Sequence, residues 1–478
     1  MALSSLSPGI AIITRSKFSA MKMMQGQKIT SFWRKVTSGS VNRQILGAVL
    51  TVAILTAFVK LVGTVKELVI AWKFGTGDHL DAFYIGLLIP EFVLNVVAGS
   101  FNTALIPTYI RVREQEGVTA SQRLFSSATL WSLGVLGITT CLIVGAAPFY
   151  LPRLASGFSP EKLDLTFKLL CVASPIIMLT GVVTIWSAVL NAGERFALAA
   201  LTPMLTPLLT IVLLEKAQSW GVFALMGGLV GGAILEIIFL GIALRRQGIS
   251  LRPRWYGFDQ HLRQVANQYM PMIAGSFLMC STGLVDQAMA ATLPSGSVSA
   301  LNYGNRVTAL PITLITTALS TAVIPYFSKM IAKDDWVGLR STLNKAIKII
   351  SMIAIPGALI LIVFSENIIQ LLFQRGSFTA SDTELVAKIQ LCYALQIPLR
   401  GPGTLVGRLI STARANQILM WGSAGNLIIN ITLDYWFMNW LGVAGIALST
   451  TCVYLFSCLF LYFSANRIID KHTSGNLV

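Results

Sequence analysis

Apolar stretches of roughly 20–30 residues, the length a helix needs to cross a bilayer, follow one another along almost the whole chain. They fall at about 45–73, 82–110, 127–149, 164–190, 197–214, 220–244, 266–292, 300–328, 341–364, 386–410, 417–438 and 443–465. The pattern predicts an all-α polytopic membrane protein with about twelve transmembrane helices. Short polar turns separate most spans, and 245–265 (RRQGISLRPRWYGFDQHLRQV) is the longest basic loop.

Three spans break the apolar pattern on one side only. In the eighth, Asn302, Arg306, Thr313, Thr317 and Ser320 recur at helical spacing, with Asn305 beside the arginine. A charge facing lipid at that depth costs about 2.5–3.5 kcal/mol on insertion scales, so this stripe is expected to line a wet cavity. In the first span Lys60, Gly63 and Glu67 share a face, with Lys66 a quarter turn away. The second span aligns Asp81, Tyr84, Glu91, Asn95 and Asn102. Lys60, Lys66 and Arg306 around one cavity would suit a diphosphate, since arginine forks onto phosphate oxygens and lysine adds a point charge. The residues equally allow three internal ion pairs, Lys60 with Glu67, Lys66 with Asp81 and Arg306 with Glu91. Arg400 lies between Pro398 and Pro402. It either lines a cavity in the second half or caps carbonyls freed by the broken helix. Glu236 has no partner that the sequence suggests.

Thr103-Ala104-Leu105-Ile106-Pro107 returns as Thr321-Ala322-Val323-Ile324-Pro325, and Leu190-Asn191-Ala192-Gly193 has a weaker counterpart at Ile410-Ser411-Thr412-Ala413. The near-equal offsets predict two pseudo-symmetric six-helix lobes, 45–244 and 266–465, around a central cavity. The linker 245–265 joins them, and tails at 1–44 and 466–478 flank them. Parallel repeats of this kind belong to transporters whose halves rock about a midplane site.

Composition agrees. The chain is 54% hydrophobic and 12% charged, with a mean hydropathy of +0.71, against about 25% charged in soluble domains. Its net charge of +16 is unevenly spread. With the N-terminal tail cytoplasmic, 24 Lys and Arg fall on the inner segments and 5 (Lys73, Arg153, Lys162, Lys216, Arg375) on the outer ones. The positive-inside rule then places both termini in the cytoplasm. The basic charge is explained by topology and anionic-lipid contact, with no nucleic acid required. The acid-free tail also fits an organellar transit peptide. Cys141, Cys171, Cys280, Cys392, Cys452 and Cys458 lie in apolar segments without a CxxC pair, and His79, His261 and His472 are scattered. No metal site, cofactor or catalytic group is expected. No nucleotide-binding motif occurs, so transport would draw on an ion gradient, the membrane potential or the substrate gradient, with a coupling ion as one option.

Four stretches carry a family resemblance: VGTVKELVIAWKFGTGDHLDAFYIGLLIP, LNAGERFALAALTPML, PSGSVSALNYGNRVTALP with STAVIPYFSK, and LLFQRGSFTASDT. On these the chain resembles the MurJ/MviN flippases of the multidrug/oligosaccharidyl-lipid/polysaccharide exporter superfamily. The resemblance implies a V-shaped, two-lobe transporter in the bacterial inner membrane. It would carry an undecaprenyl-diphosphate-linked saccharide through a cationic cavity by alternating access, without enzymatic chemistry. The family's span 8 arginine falls on Arg306, its span 1 arginines on Lys60 and Lys66, the adjoining acid on Glu67 and the span 2 acid on Asp81. A further span 2 arginine has no match, since Leu94 and Asn95 occupy the region. A flippase for another lipid-linked polysaccharide unit fits these departures. A multidrug or cation antiporter would want a more acidic cavity, and a membrane glycosyltransferase larger outer loops with catalytic groups.

Overall fold

The computed structural model describes residues 41–192 and 196–475. Most of the predicted N-terminal tail and the side chains of Thr317 and Ser320 lie outside the described residues. Helices occupy all twelve predicted positions, and no strand occurs among the described residues. In chain order they are α1 (Val41–Phe74), α2 (Asp78–Gln115), α3 (Gly117–Leu154), α4 (Pro160–Asn191), α5 (Ala197–Lys216) and α6 (Phe223–Arg246). Then come α7 (Gln260–Ala290), α8 (Ser297–Ala332), α9 (Trp336–Val363), α10a (Ala380–Ala394), α10b (Ile397–Thr412), α11 (Asn416–Leu441) and α12 (Val443–Gly475). Among the described residues, seven helical segments are long and apolar enough to cross a membrane, and α2 is one of them despite its polar face.

Local chemistry sets the ends. Asp259 accepts from Leu262 N (2.8 Å) and starts α7 six residues before the apolar run. Asp335 accepts from Gly338 N (2.8 Å) and starts α9. Thr379 and Asp382 form a reciprocal capping box at α10a. Two helices are broken as their prolines require: α4 at Ser174, before Pro175, and α10 between Ala394 and Ile397, before Pro398. A π-helical turn at Leu94–Ala98 interrupts α2. α12 continues through the predicted C-terminal tail. Ile469 is buried there, Asp470 meets Arg340 (3.0 Å) and His472 stacks on Trp336. A short helix, Ser365–Phe373, was not predicted. It buries Ile369 and Phe373, and Phe373 packs on Tyr303 and Phe378.

The two ends of the bundle differ. At one end a single apolar core joins both halves, drawing Ile70, Leu80 and Leu170 from the first and Val298, Tyr303 and Phe378 from the second. At the other end the cores are separate. One gathers α2, α3, α4, α6 and the first turns of α7, while the other gathers α8 to α12. The halves therefore share one core at one end, while at the other they meet through α7, whose Tyr269 packs edge-on against Phe101 and whose His261 reaches Glu116.

Candidate functional site

The site forms where α1, α2 and α8 face one another. Glu67 on α1 is its pivot, with a side chain only 8% exposed. Lys66 Nζ lies 3.0 Å from Glu67 Oε1, and Arg306 Nη2 of α8 lies 3.6 Å from the same oxygen. The Tyr84 hydroxyl approaches Oε2 at 3.5 Å. One carboxylate is thus shared by two cations from opposite halves, and Glu91 stands within electrostatic reach of both. The Arg306 side chain remains 53% exposed, so its guanidinium keeps donors for another partner. Glu91, Asn95 and Asn305 are also exposed, and the Asn95 amide donates to Glu91 O (2.9 Å). Asn302 is turned aside, donating to Gln287 Oε1 (3.1 Å) and Val298 O (2.8 Å).

The three sequence-based ion pairs do not form as expected. Lys66 and Arg306 both take Glu67. Lys60 is exposed with no carboxylate partner among the described residues. It sits six residues from Lys66, about 9 Å along the helix, and does not join the cluster. Asp81 is neither a cavity-lining residue nor the partner of Lys66. It is 1% exposed and pairs with Lys162 of α4 (Oδ2, 3.0 Å). Its oxygens also accept from the start of α8, Oδ2 from Gly296 N and Oδ1 from Ser299 N, both at 2.8 Å. Lys162, counted by sequence as an outer-loop charge, is buried, reaches Asp78 as well (2.6 Å) and lies over the Phe158 ring. The sequence concealed this because Lys162 is about 80 residues from its partners, and only the packing of α4 on α2 brings them together.

Asp81 belongs to a latch across the closed end. Thr76 hydrogen-bonds Asp382, Ser377 N donates to Trp72 O (2.9 Å), and the Tyr303 hydroxyl donates to Gly75 O (3.2 Å). Gly296, at φ +88°, opens α8 with Thr76 so close that a Cβ would sit 3.0 Å from its Oγ1.

A second polar cluster, which the sequence reading missed, lies inside the second half. Asp286 of α7 and Asp434 of α11 are both buried. Asn430 Nδ2 donates to Asp286 Oδ1 (2.8 Å) and Thr450 Oγ1 to Oδ2 (3.0 Å). Neither carboxyl has a cationic side chain within ion-pair distance among the described residues. Acids at membrane depth in spans 7 and 11 were the available signal. Glu236 does find a partner, accepting from Thr206 Oγ1 (2.7 Å). Arg400 lies over the Tyr454 ring (4.6 Å) and lines a cavity of about 520 Å³ within α7, α10b, α11 and α12.

The profile of the lipid II flippase MurJ family matches residues 70–476. This chain belongs to that family. Membership makes it a multi-pass transporter of the bacterial inner membrane and not an enzyme. Among MurJ relatives, a probable lipid II flippase of Synechocystis is 27% identical over 449 residues, covering 90% of this chain and 83% of that one. A Thermotoga maritima relative is 27% identical, covering 87% and 84%, and a lipid II flippase of Burkholderia cenocepacia is 26% identical, covering 84% and 80%. In fold the chain is similar to a solved MurJ in an inward closed conformation (TM-score 0.77, 24% identity, 90% and 91% coverage). It is also similar to an inward-facing multidrug transporter of the MATE family (TM-score 0.73, 16% identity, 88% and 99% coverage).

Proposed function

We propose that this MurJ-family chain moves a diphosphate-linked saccharide of the lipid II class across the membrane by alternating access, with Lys66 and Arg306 receiving the diphosphate. The observation that carries the assignment is the shared Glu67 carboxylate. It holds the two cations from opposite halves in place, yet Arg306 is held loosely, at 3.6 Å and half exposed. A diphosphate offers both cations more oxygens than one carboxylate does, so it displaces Glu67 from Arg306 and bridges the halves. Lys60 acts farther along α1, where it meets the cargo only before or after that bridge. The lobes 45–244 and 266–465 rock about this point. The excess of basic residues on one set of loops makes the latched end the outer one and puts both termini inside. The open end is then the cytoplasmic entrance. The juxtamembrane arginines of 245–265 rest on anionic lipid.

Coupling falls to the second cluster. Two buried carboxyls side by side are not both charged unless a small cation lies between them; otherwise one of them keeps a proton. Asp286, Asp434, Asn430 and Thr450 supply oxygens for either. Asp286→Asn or Asp434→Asn is expected to abolish the dependence of transport on the imposed ion gradient while leaving cargo binding intact. Flipping assayed in vesicles under proton and sodium gradients checks this, and gradient-driven transport surviving in both variants would rule the cluster out.

The central test is replacement of the resident lipid II flippase in a bacterial host by this chain. Growth with labelled lipid II on the outer face supports the substrate, and Arg306→Ala is expected to abolish it with insertion unchanged. Full activity of that variant would sink the site. Failure of the inserted wild-type chain would assign it another lipid-linked glycan.

A further inference from the structure

The cavity beside Arg400 is not explained by the diphosphate site, and it meets the ion cluster only at Asn430 and Thr450. It lies wholly among helices of the second half, at about 520 Å³, within the usual range for small-ligand pockets. Its lining is unusual in three respects. Arg400 enters it from the first turn of α10b, where the positive end of the helix dipole already disfavours a cation. Among the described residues it has a ring beneath it but no carboxylate within ion-pair distance, and no acid lines the cavity. Arg408 adds a second positive charge at the rim.

Asn426 donates its Nδ2 to Ser457 Oγ (3.3 Å), and Asn430 donates its Nδ2 to Asp286, which fixes both amides. Thr404, Ser411, Ser423 and Ser457 bring hydroxyls to the lining, and Gly403, Gly407 and Gly422 leave the room. A cavity lined by guanidinium and hydroxyl groups and by no carboxylate fits a ligand that combines an oxyanion for Arg400 with hydrogen-bonding groups for the hydroxyls.

We propose that this cavity is a second subsite for the cargo, taking a carboxylate-bearing, hydrogen-bonding part of its saccharide or glycopeptide head while Arg306 and Lys66 hold the diphosphate. The proposal rests on the flippase reading above. It assigns recognition of the head group to the second half alone. Arg400 is the specificity-determining residue.

Cys458 lines the cavity and is a free thiol, which provides a direct readout. Its alkylation by a permeant maleimide is followed by mass spectrometry in the purified full chain in nanodiscs. The free-acid lipid-linked saccharide is compared with the same lipid after its carboxylates are amidated, with exposed Cys141 as internal control. Free-acid cargo is expected to protect Cys458 at roughly tenfold to hundredfold lower concentration than amidated cargo, the worth of one charge-assisted contact. Arg400→Gln should erase that difference, and Arg400→Lys should restore part of it with Cys141 labelling unchanged. Equal protection by the two cargoes in the wild type, or a preference that survives Arg400→Gln, overturns the subsite. So does full protection by acetate or inorganic phosphate alone, which would make the cavity a site for a free anion. Cargo that binds in an Arg306-dependent way without protecting Cys458 removes the subsite and leaves the flippase reading standing. Cargo that does not bind at all removes both.

Discussion

At the scale of single residues, the arrangement turns on charges that are paired but not saturated. Glu67 serves two cations, and Asp81 serves one lysine and two backbone N–H groups. The difference is burial. Asp81 is sealed and its partners are fixed, while Arg306 keeps half its surface open for a ligand. Lys162 is the more consequential of the two lysines that Asp81 and Glu67 hold, because it offsets a carboxylate with almost no access to water. Removing one partner of a buried pair costs about 3–5 kcal/mol. Opening the latch returns Asp81 to water, so Lys162→Met is expected to shift the protein toward a form open at the latched end. Labelling of cysteines introduced at the latched end should rise while labelling of those introduced at the opposite end falls, and Lys162→Arg should reverse both. A rise at both faces would mark simple unfolding. Much of this scale was hidden from sequence. Lys66, Glu67 and Arg306 stood out because ionisable groups are rare at membrane depth. Their pairing did not, because helical spacing gives a residue's face but not the neighbour that faces it.

At the scale of elements, the start of α8 is the critical joint. Its N-terminal N–H groups are satisfied by a carboxylate from the other half of the chain instead of by a local cap. Gly296 reaches the required backbone only because it lacks a side chain, and a non-glycine residue at positive φ costs about 1–2 kcal/mol. Gly296→Ala is therefore expected to weaken the Asp81 contact. The change should appear as a lower melting temperature and faster hydrogen exchange at 296–300, with the rest of α8 unchanged. Protection at 296–300 equal to that of the wild type would count against this account. Helix positions were legible in advance because apolar runs of bilayer length have few alternatives. Their ends were less so. α7 begins earlier than its apolar run because of Asp259, and α12 runs on because its last turns find Trp336 and Arg340 to pack against. The helix 365–373 escaped notice because nine residues give too short a period to distinguish from a loop.

At the scale of the whole molecule, one end is held by a common core and a polar latch while the other end has two separate cores. In the proposed cycle this asymmetry favours opening at one end at a time. A cysteine pair replacing Thr76 and Asp382, joined by a short bifunctional reagent, is expected to hold the latched end closed. Transport should stop and then recover on cleavage of the linker, with cargo binding retained from the open end. Uninterrupted transport in the crosslinked protein would mean that this seam does not part during the cycle.

The sequence by itself determined that the chain crosses a membrane about twelve times as helices, and it singled out Arg306 as a charge at membrane depth on the eighth. These follow from the cost of placing backbone and charge in hydrocarbon, which each segment meets on its own. Only the tertiary structure decided which acid each cation meets, that Asp81 guards a helix terminus instead of a cavity, and that Asp286 and Asp434 lie together in the second half. Those outcomes depend on residues separated by tens to hundreds of positions being brought within a few ångströms, and no periodicity along the chain encodes that distance.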